Sequence, residues 1–204
     1  YYFLMSSPKE APNSSLSYMM GVVNRVFANR KGRFYAKAGK ISHQRLLSDL
    51  RESKKGIFIL ATAFSLKSFL DYLKEKKTGL KLPKGSRIME TGGFKGRMRE
   101  ILKKVLHQEC GQRLGIAKEY CVSEYGMTEL SSQFYDTTLR DKVLRIKRKP
   151  FKIGPAWIRT LVIDPKTGRE AVNGRTGILR HFDLANRGSV LAIQTDDLGK
   201  RAGD

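Results

Sequence analysis

A continuous apolar run at residues 56–64 places the strongest constraint on how this 204-residue chain can fold. Uninterrupted runs of this length are typical of parallel β-strands that are covered on both faces. Ser65 follows as a candidate helix N-cap, and apolar residues then recur at helical spacing from Leu66 to Leu73. The segment therefore predicts a buried strand followed by an amphipathic helix.

Two similar units follow this one, and the helical turn that ends the last of them is not fixed by the pattern. A weaker strand is predicted at residues 87–90; it ends in Thr91-Gly92-Gly93, and a helix is predicted at residues 96–108. A third strand at residues 117–122 leads into Tyr125-Gly126-Met127-Thr128-Glu129. Such alternation favours a parallel sheet with right-handed crossovers, and ligands of these sheets bind at the carboxyl ends of the strands. Both glycine-containing segments are therefore predicted at a ligand site.

The remaining parts of the chain have different patterns. Residues 1–55 are expected to form a helical connector, with helices at residues 16–29 and 43–51 capped by Ser14 or Ser15 and by Ser42. Residues 56–135 are expected to form an α/β nucleotide-binding subdomain. Residues 136–204 carry short apolar runs separated by turn residues, including Asp-Pro-Lys-Thr-Gly at residues 164–168, and predict a smaller antiparallel β subdomain. The fold class is therefore α/β, and we expect the chain to be an internal piece of a longer protein.

The composition is strongly basic, with 40 Lys and Arg against 19 Asp and Glu and a net charge of +21. This charge raises the alternative of a basic nucleic-acid-binding module. The cations are scattered, however, and no helix-turn-helix, zinc or RNP-type pattern accompanies them, so a solvated basic surface and no specific nucleic acid are expected. No apolar run is long enough to span a bilayer, and no signal peptide is visible. A cytoplasmic location is expected.

The segment after the third strand carries side chains suited to a nucleotide. Tyr125 offers an aromatic face, Thr128 a hydroxyl and Glu129 a carboxylate, beside Gly126. Together they could serve a purine ring, a phosphate oxygen and Mg²⁺. Two ordinary structural explanations remain open: Glu129 as a first-turn helix acid and Thr128 as a helix cap.

The same motifs resemble those of a known superfamily. Residues 123–129 resemble the Tyr-Gly-x-Thr-Glu signature of adenylate-forming enzymes, and residues 160–179 resemble the block that follows it. Residues 194–199 resemble the Thr-x-Asp-Leu block of the phenylacetate–CoA ligase branch. Within the superfamily, residues 14–19, 90–97 and 126–135 are most similar to the LuxE-type acyl-protein synthetases, which activate fatty acids for a luminescence fatty-acid reductase.

The resemblance implies a role for each site residue. Glu129 would hold Mg²⁺, Thr128 would bond the α-phosphate of ATP, and Tyr125 would flank the adenine. Gly92 and Gly93 would let the backbone approach the ring, although the pair is also a common turn. Asp197 would accept hydrogen bonds from the ribose hydroxyls, or would be mere surface charge beside Asp196.

The resemblance also implies the reaction: ATP-dependent activation of a carboxylic acid, expected to be a long-chain fatty acid, and its transfer to a protein thiol, with an acyl-reductase as a possible partner. An acyl-CoA ligase of the phenylacetate type is the alternative, and it differs in using CoA as the acceptor. The family's phosphate loop and its C-terminal domain have no counterpart in these residues. We therefore expect negligible adenylation by the 204-residue chain alone.

The remaining reactive side chains have no evident catalytic company. His43, His107 and His181 are isolated in the sequence and are expected at the surface or in the core. Cys110 and Cys121 have no zinc-type spacing and are expected as reduced, buried thiols.

Overall fold

The polypeptide folds as two units in the computed structural model, which describes residues 1–92 and 103–201. The first unit comprises Tyr1–Glu124 and Thr137–Arg148. The second comprises Tyr125–Asp136 and the residues from Lys149 onward. The predicted site residues are therefore divided, with Gly92 in the first unit and the others that are described in the second.

The strands and helices of the first unit alternate along the chain. Its strands are β1 (Tyr2–Ser6), β2 (Arg33–Lys37), β3 (Lys40–Ile41), β4 (Phe58–Thr62), β5 (Arg87–Thr91) and β6 (Cys121–Tyr125, whose last residue belongs to the second unit). Its helices are α1 (Ser15–Val26), α2 (His43–Glu52), α3 (Ala63–Glu75), α4 (Lys103–Leu114) and α5 (Thr138–Val143), with a 3₁₀ turn at Lys118–Tyr120.

The predicted parallel sheet is confirmed. The strand order is β3-β2-β1-β4-β5-β6. The pairs β2–β1, β1–β4, β4–β5 and β5–β6 are all parallel. Among the described strands in this order, only the short β3 pairs antiparallel, to β2. In the register of β5 and β6, Thr91 lies opposite Glu124. The ends of these two strands are thus level with each other.

Helices cover both faces of this sheet, which explains why its strands are continuously apolar. On one face, side chains of α2, α3 and α4 form the larger core with Leu4, Ile59 and Ile88. On the other face, Phe3, Met5, Leu60 and Met89 pack with α1 through Met20. The α/β class is confirmed.

Helix α3 begins earlier than the sequence predicts. Its N-cap is Thr62, whose hydroxyl accepts from the Ser65 backbone N–H at 3.0 Å. The Ser65 hydroxyl oxygen in turn accepts a hydrogen bond from the backbone N–H of Thr62 at 3.0 Å, which completes a capping box. The prediction of Ser65 as the cap was wrong because Ser65 occupies the reciprocal N3 position of that box.

Other boundaries also differ from the predictions. Residues 1–55 contain three strands as well as the two helices, and the buried Phe3 and Leu4 place β1 inside the sheet. The strand predicted at residues 117–122 is displaced toward the C-terminus as β6, after the 3₁₀ turn. Residues 93–102 lie outside the described part, so only the later portion of the helix predicted at residues 96–108 can be compared with α4.

The second unit is built from antiparallel strands, as predicted for the C-terminal part of the chain. Strands β9 (Ile158–Ile163), β10 (Gly177–Asp183) and β11 (Ala192–Gly199) form a sheet in the order β11-β10-β9. Strands β7 (Phe134–Asp136) and β8 (Lys152–Ile153) also pair antiparallel to each other. No described helix is long and apolar enough to cross a membrane.

Candidate functional site

Two of the predicted site residues meet in the second unit. The phenol of Tyr125, the last residue of β6, donates a hydrogen bond to Asp197 Oδ2 on β11 at 2.8 Å. Tyr125 is half-buried and Asp197 is exposed. Burial and the neighbouring Asp197 carboxylate both raise the pKa of Tyr125, so its hydroxyl remains protonated and able to donate. Among the described residues, Asp197 Oδ1 has no hydrogen-bond donor, so it remains available to a ligand.

A bulge in β11 accounts for the position of Asp197. Ile178 of β10 pairs with Leu198 and Arg180 pairs with Gln194, so Leu179 alone lies opposite residues 195–197. The Thr195 hydroxyl donates to the Leu179 carbonyl at 3.1 Å and accepts from the Asp197 N–H at 3.1 Å. A bulge interrupts the alternation of side chains along a strand and re-aims them. Here it presents Asp197 to Tyr125.

Behind Tyr125 lies a cluster of rings. His181 of β10 is 1% exposed, and its ring centroid lies 5.8 Å from that of Tyr125 and 5.3 Å from that of Phe134. The Tyr125 and Phe134 centroids are 5.9 Å apart. Burial lowers the pKa of His181, and Asp197 and Asp183 oppose that shift. His181 is therefore a buried side chain in contact with a predicted site residue, which its isolation in the sequence did not indicate.

Thr128 and Glu129 lie in an exposed turn after β6. The Leu130 N–H donates to the Met127 carbonyl at 3.2 Å, and both Thr128 and Glu129 are exposed. The side chain of Asn186 donates to the Glu129 carbonyl at 2.8 Å. Because this segment is a turn, the alternative of a helix first turn with its cap does not describe it. The Glu129 carboxylate forms no ion pair within the described residues.

A buried carboxylate fixes the chain immediately after this turn. Asp183, which is 0% exposed, accepts from the backbone N–H groups of Ser131 and Ser132 at 3.0 and 2.9 Å. It also accepts from the Ser132 hydroxyl at 2.8 Å and from the Ala185 N–H at 3.0 Å. Four donors compensate for the loss of hydration of this carboxylate. The turn that carries Glu129 is thereby tethered to the end of β10.

The glycine pair predicted to approach the adenine belongs to the first unit. Gly92 follows β5 with φ +74, a left-handed conformation that favours glycine. A Cβ at Gly92 would meet no atom of the described chain within 4 Å. Gly92 therefore suits a tight turn after β5, and it also leaves open space beside its backbone. Gly93 lies outside the described residues.

Two buried carboxylates of the first unit were missed by the sequence analysis. Glu124 of β6 is 3% exposed and accepts a hydrogen bond from the Thr91 hydroxyl. Glu90 is 0% exposed, with Lys103 Nζ at 3.6 Å and His107 Nε2 at 3.5 Å. Burial raises the pKa of Glu90, but His107 and Lys103 outweigh it and the net pKa is below the ordinary value. A glutamate within an otherwise apolar strand is the feature of the sequence that could have indicated each buried carboxylate.

The side chains near the end of β6 are of the chemical types that bind ATP and Mg²⁺. Mg²⁺ is held by one or two carboxylates together with substrate phosphates, and the exposed Glu129 supplies such a carboxylate. Within residues 1–92 and 103–201, no group of three His, Cys, Asp or Glu side chains is arranged to hold a metal by itself. Cys110 and Cys121 are free and buried, as predicted. Because no such group of three is present among the described residues, an Mg²⁺ ion at Glu129 would need further oxygen ligands from a bound substrate.

The comparisons with known proteins agree with these observations. The model of the family "Acyl-protein synthetase, LuxE" matches residues 9–202. A long-chain-fatty-acid–luciferin-component ligase of Aliivibrio fischeri is 22% identical over 192 residues, which cover 92% of this chain and 47% of that protein. The chain thus spans about half the length of this curated relative.

Solved structures share the fold of this chain at low identity. The luciferase-like enzyme of the mealworm Zophobas morio is 14% identical, with a TM-score of 0.63 over 98% of this chain and 45% of its own. ATP-bound MatB from Rhodopseudomonas palustris is 15% identical, with a TM-score of 0.60 over 98% and 37%. The o-succinylbenzoate CoA synthetase of Bacillus subtilis in complex with AMP is 17% identical, with a TM-score of 0.54 over 98% and 38%. The expected adenylate-forming fold is confirmed, and the chain belongs to the acyl-protein synthetase (LuxE) family.

Proposed function

We propose that this chain supplies the nucleotide-binding part of an enzyme that activates a long-chain fatty acid with ATP. A carboxylate oxygen of the acid attacks the α-phosphorus of ATP, the bond to the β-phosphate breaks, and pyrophosphate leaves. A protein thiolate then attacks the acyl carbon, a thioester forms and AMP leaves. Family membership supports this reaction, and the hydrogen bond between Tyr125 and Asp197 is the observation that carries the nucleotide assignment.

The second unit would hold the nucleoside. The exposed Asp197 carboxylate accepts from the ribose hydroxyls through Oδ1, while Oδ2 is occupied by Tyr125. The Tyr125 ring packs beside the adenine. These contacts orient the nucleotide before the acid attacks, and positioning of this kind supplies much of the catalysis in a reaction that needs no side-chain nucleophile.

The turn after β6 would serve the phosphates. Thr128 donates its hydroxyl to an α-phosphate oxygen, where negative charge increases as the carboxylate attacks. Glu129 holds Mg²⁺ in this proposal, and its exposure leaves room for an ion shared with the substrate. The bound Mg²⁺ would neutralise phosphate charge and orient the leaving pyrophosphate.

The acceptor distinguishes two forms of the proposal. Membership in the acyl-protein synthetase family favours a protein thiol, and an acyl-reductase is the corresponding candidate partner. CoA is the rival acceptor, because structures of similar fold include a long-chain-fatty-acid–CoA ligase from Archaeoglobus fulgidus, with a TM-score of 0.51. Neither Cys110 nor Cys121 is a suitable acceptor within this chain, since both are buried.

The reaction can be tested on the native polypeptide that carries these residues. It is incubated with MgATP and a long-chain fatty acid, and hydroxylamine is added to trap the activated acyl group as a hydroxamate. We expect acid-dependent AMP and hydroxamate in equal amounts. CoA added in place of hydroxylamine should yield little acyl-CoA if a protein thiol is the acceptor, whereas efficient acyl-CoA formation would support the rival. ATP consumption without any activated acyl group would contradict both.

A further inference from the structure

His181 occupies a position that its sequence context did not reveal. Its ring is 1% exposed, and both nitrogens have hydroxyl neighbours: Nδ1 lies 2.8 Å from Thr160 Oγ1 and Nε2 lies 3.4 Å from the Tyr125 phenol oxygen. Thr160 lies directly opposite His181 in the pairing of β9 and β10. One buried imidazole therefore joins the sheet of the second unit to Tyr125.

The hydrogen-bond donors along this chain of groups can be assigned from the partners. The Tyr125 hydroxyl donates to Asp197 Oδ2 at 2.8 Å, so its oxygen can only accept from His181. The neutral imidazole then carries its hydrogen on Nε2, and Nδ1 accepts from the Thr160 hydroxyl at 2.8 Å. In this arrangement every donor has an acceptor, and the groups polarise one another along the chain Thr160–His181–Tyr125–Asp197.

We propose that His181 is a positioning residue of the nucleotide site: together with Thr160, it holds the Tyr125 phenol in the orientation in which that phenol fixes the ribose-binding carboxylate of Asp197. This inference rests on the proposed function, because it assigns His181 to the same nucleotide site. His181 is not a catalytic residue in this role, since it contacts Tyr125 and not the substrate. Among the two substrates, its effect on affinity should be confined to the nucleotide.

The test compares the affinity for the nucleotide with that for the fatty acid. If His181 had a purely structural role, its substitution would not weaken nucleotide binding selectively. His181→Phe retains a buried ring but removes both nitrogens, whereas His181→Gln retains an amide N–H near the position of Nε2. We expect His181→Phe to raise the Kd for AMP and the KM for ATP about tenfold, the effect of losing one hydrogen bond to a site group. The KM for the fatty acid should change less than about twofold. His181→Gln should recover most of the affinity.

A second histidine provides a matched control. His43 is half-buried, and its Nε2 lies 3.1 Å from the Ser68 hydroxyl in the first unit, an arrangement similar to that of His181 and Thr160. His43→Phe should leave the Kd for AMP unchanged even if it lowers stability. Thr160→Val should weaken AMP binding in the same direction as His181→Phe, and Thr160→Ser should not.

A double-mutant cycle tests whether His181 acts through Tyr125. If it does, His181→Phe should add little to the loss of AMP affinity already caused by Tyr125→Phe. Additive effects in this cycle, an equal rise in the fatty-acid KM, or wild-type AMP affinity in folded His181→Phe would each overturn the inference. If the unsubstituted protein binds AMP and activates acid normally in those experiments, the proposed function stands; if it binds no nucleotide, the proposed function itself has failed.

Discussion

The hydroxyl of Tyr125 and the carboxylate of Asp197 lie 2.8 Å apart although 72 positions separate them in the sequence. Tyr125 is the last residue of β6, and Asp197 lies in the bulge of β11. Their contact joins two motifs to which the family resemblance assigns the same nucleotide. It also makes the nucleotide assignment testable, since each partner can be changed separately.

Removing the Tyr125 hydroxyl should weaken nucleotide binding without removing the aromatic ring. We expect Tyr125→Phe to raise the Kd for AMP about tenfold, because Asp197 loses the donor that orients it. Asp197→Asn should have a larger effect, since the ribose hydroxyls lose a charged acceptor. Titration calorimetry with AMP would measure both variants and the double variant.

The neighbouring Asp196 provides the control for this comparison. It is also exposed, so Asp196→Asn removes the same charge one position away and should leave AMP affinity near the wild-type value. Equal losses in the Asp196 and Asp197 variants would indicate a general effect of charge and would remove the specific role of Asp197.

Replacing Glu129 should separate catalysis from folding. We expect Glu129→Gln to lower acyl-adenylate formation by about a hundredfold or more, because an electrostatic contact to the reacting phosphates is lost. The unfolding midpoint should change little, since the side chain is exposed and forms no ion pair in the described chain. Activity is measured across a Mg²⁺ titration, with Glu10→Gln, another exposed carboxylate, as the control. Wild-type activity and Mg²⁺ dependence in Glu129→Gln would rule out the metal assignment.

The buried His181 should make stability depend on pH. Burial lowers its pKa below the ordinary value of 6.5, so between the folded and unfolded pKa values the unfolded chain binds more protons. The free energy of unfolding contributed by this group is therefore complete above 6.5 and decreases as the pH falls toward the folded pKa. Urea unfolding of the wild type and His181→Gln at several pH values between about 7.5 and 5 tests this sign.

His43 has to be considered in the same experiment, because burial also lowers its pKa and Glu75 opposes the shift. It remains in both proteins, so the difference between them isolates His181. The loss of stability on acidification should be shallower in His181→Gln. Parallel curves for the two proteins would show that the titration of His181 is not coupled to folding.

The cap of α3 predicts a stability effect in the first unit. Thr62→Ala removes the side-chain acceptor that bonds the Ser65 N–H at 3.0 Å and should lower the free energy of unfolding by about 1 kcal/mol. Thr62→Ser retains the hydroxyl and should change it by less than half of that amount. Equal unfolding midpoints for Thr62→Ala and the wild type in urea would contradict the capping assignment.

The local features of this fold could be predicted from local patterns. The apolar run before α3 identified β4, and the turn residues at 164–168 identified the loop after β9, because periodicity and turn chemistry depend on neighbouring residues. The assignment of Ser65 as the cap failed for a local reason. Thr62 and Ser65 both have capping side chains, and only the position at which the strand ends decides between them.

The supporting contacts of the site could not be predicted in this way. His181 and Asp183 lie two positions apart on β10, and each meets a segment more than 50 positions earlier in the chain, at Tyr125 and at Ser131. Pairing across that separation depends on strand register and on the bulge at residues 195–197, neither of which leaves a periodic signal. A single sequence therefore identified groups suited to a nucleotide but not those that hold them in place.

The most direct test of the central claim is fatty-acid-dependent exchange of labelled pyrophosphate into ATP, measured on the native polypeptide that carries these residues. Exchange requires reversible formation of an acyl-adenylate and does not depend on the identity of the thiol acceptor. We predict exchange that requires both Mg²⁺ and a long-chain acid and that is lost in Asp197→Asn and Glu129→Gln. Two results would contradict the assignment of this chain as the nucleotide-binding part of an acyl-adenylate-forming enzyme. One is the absence of exchange in the folded wild type, and the other is exchange that neither substitution reduces.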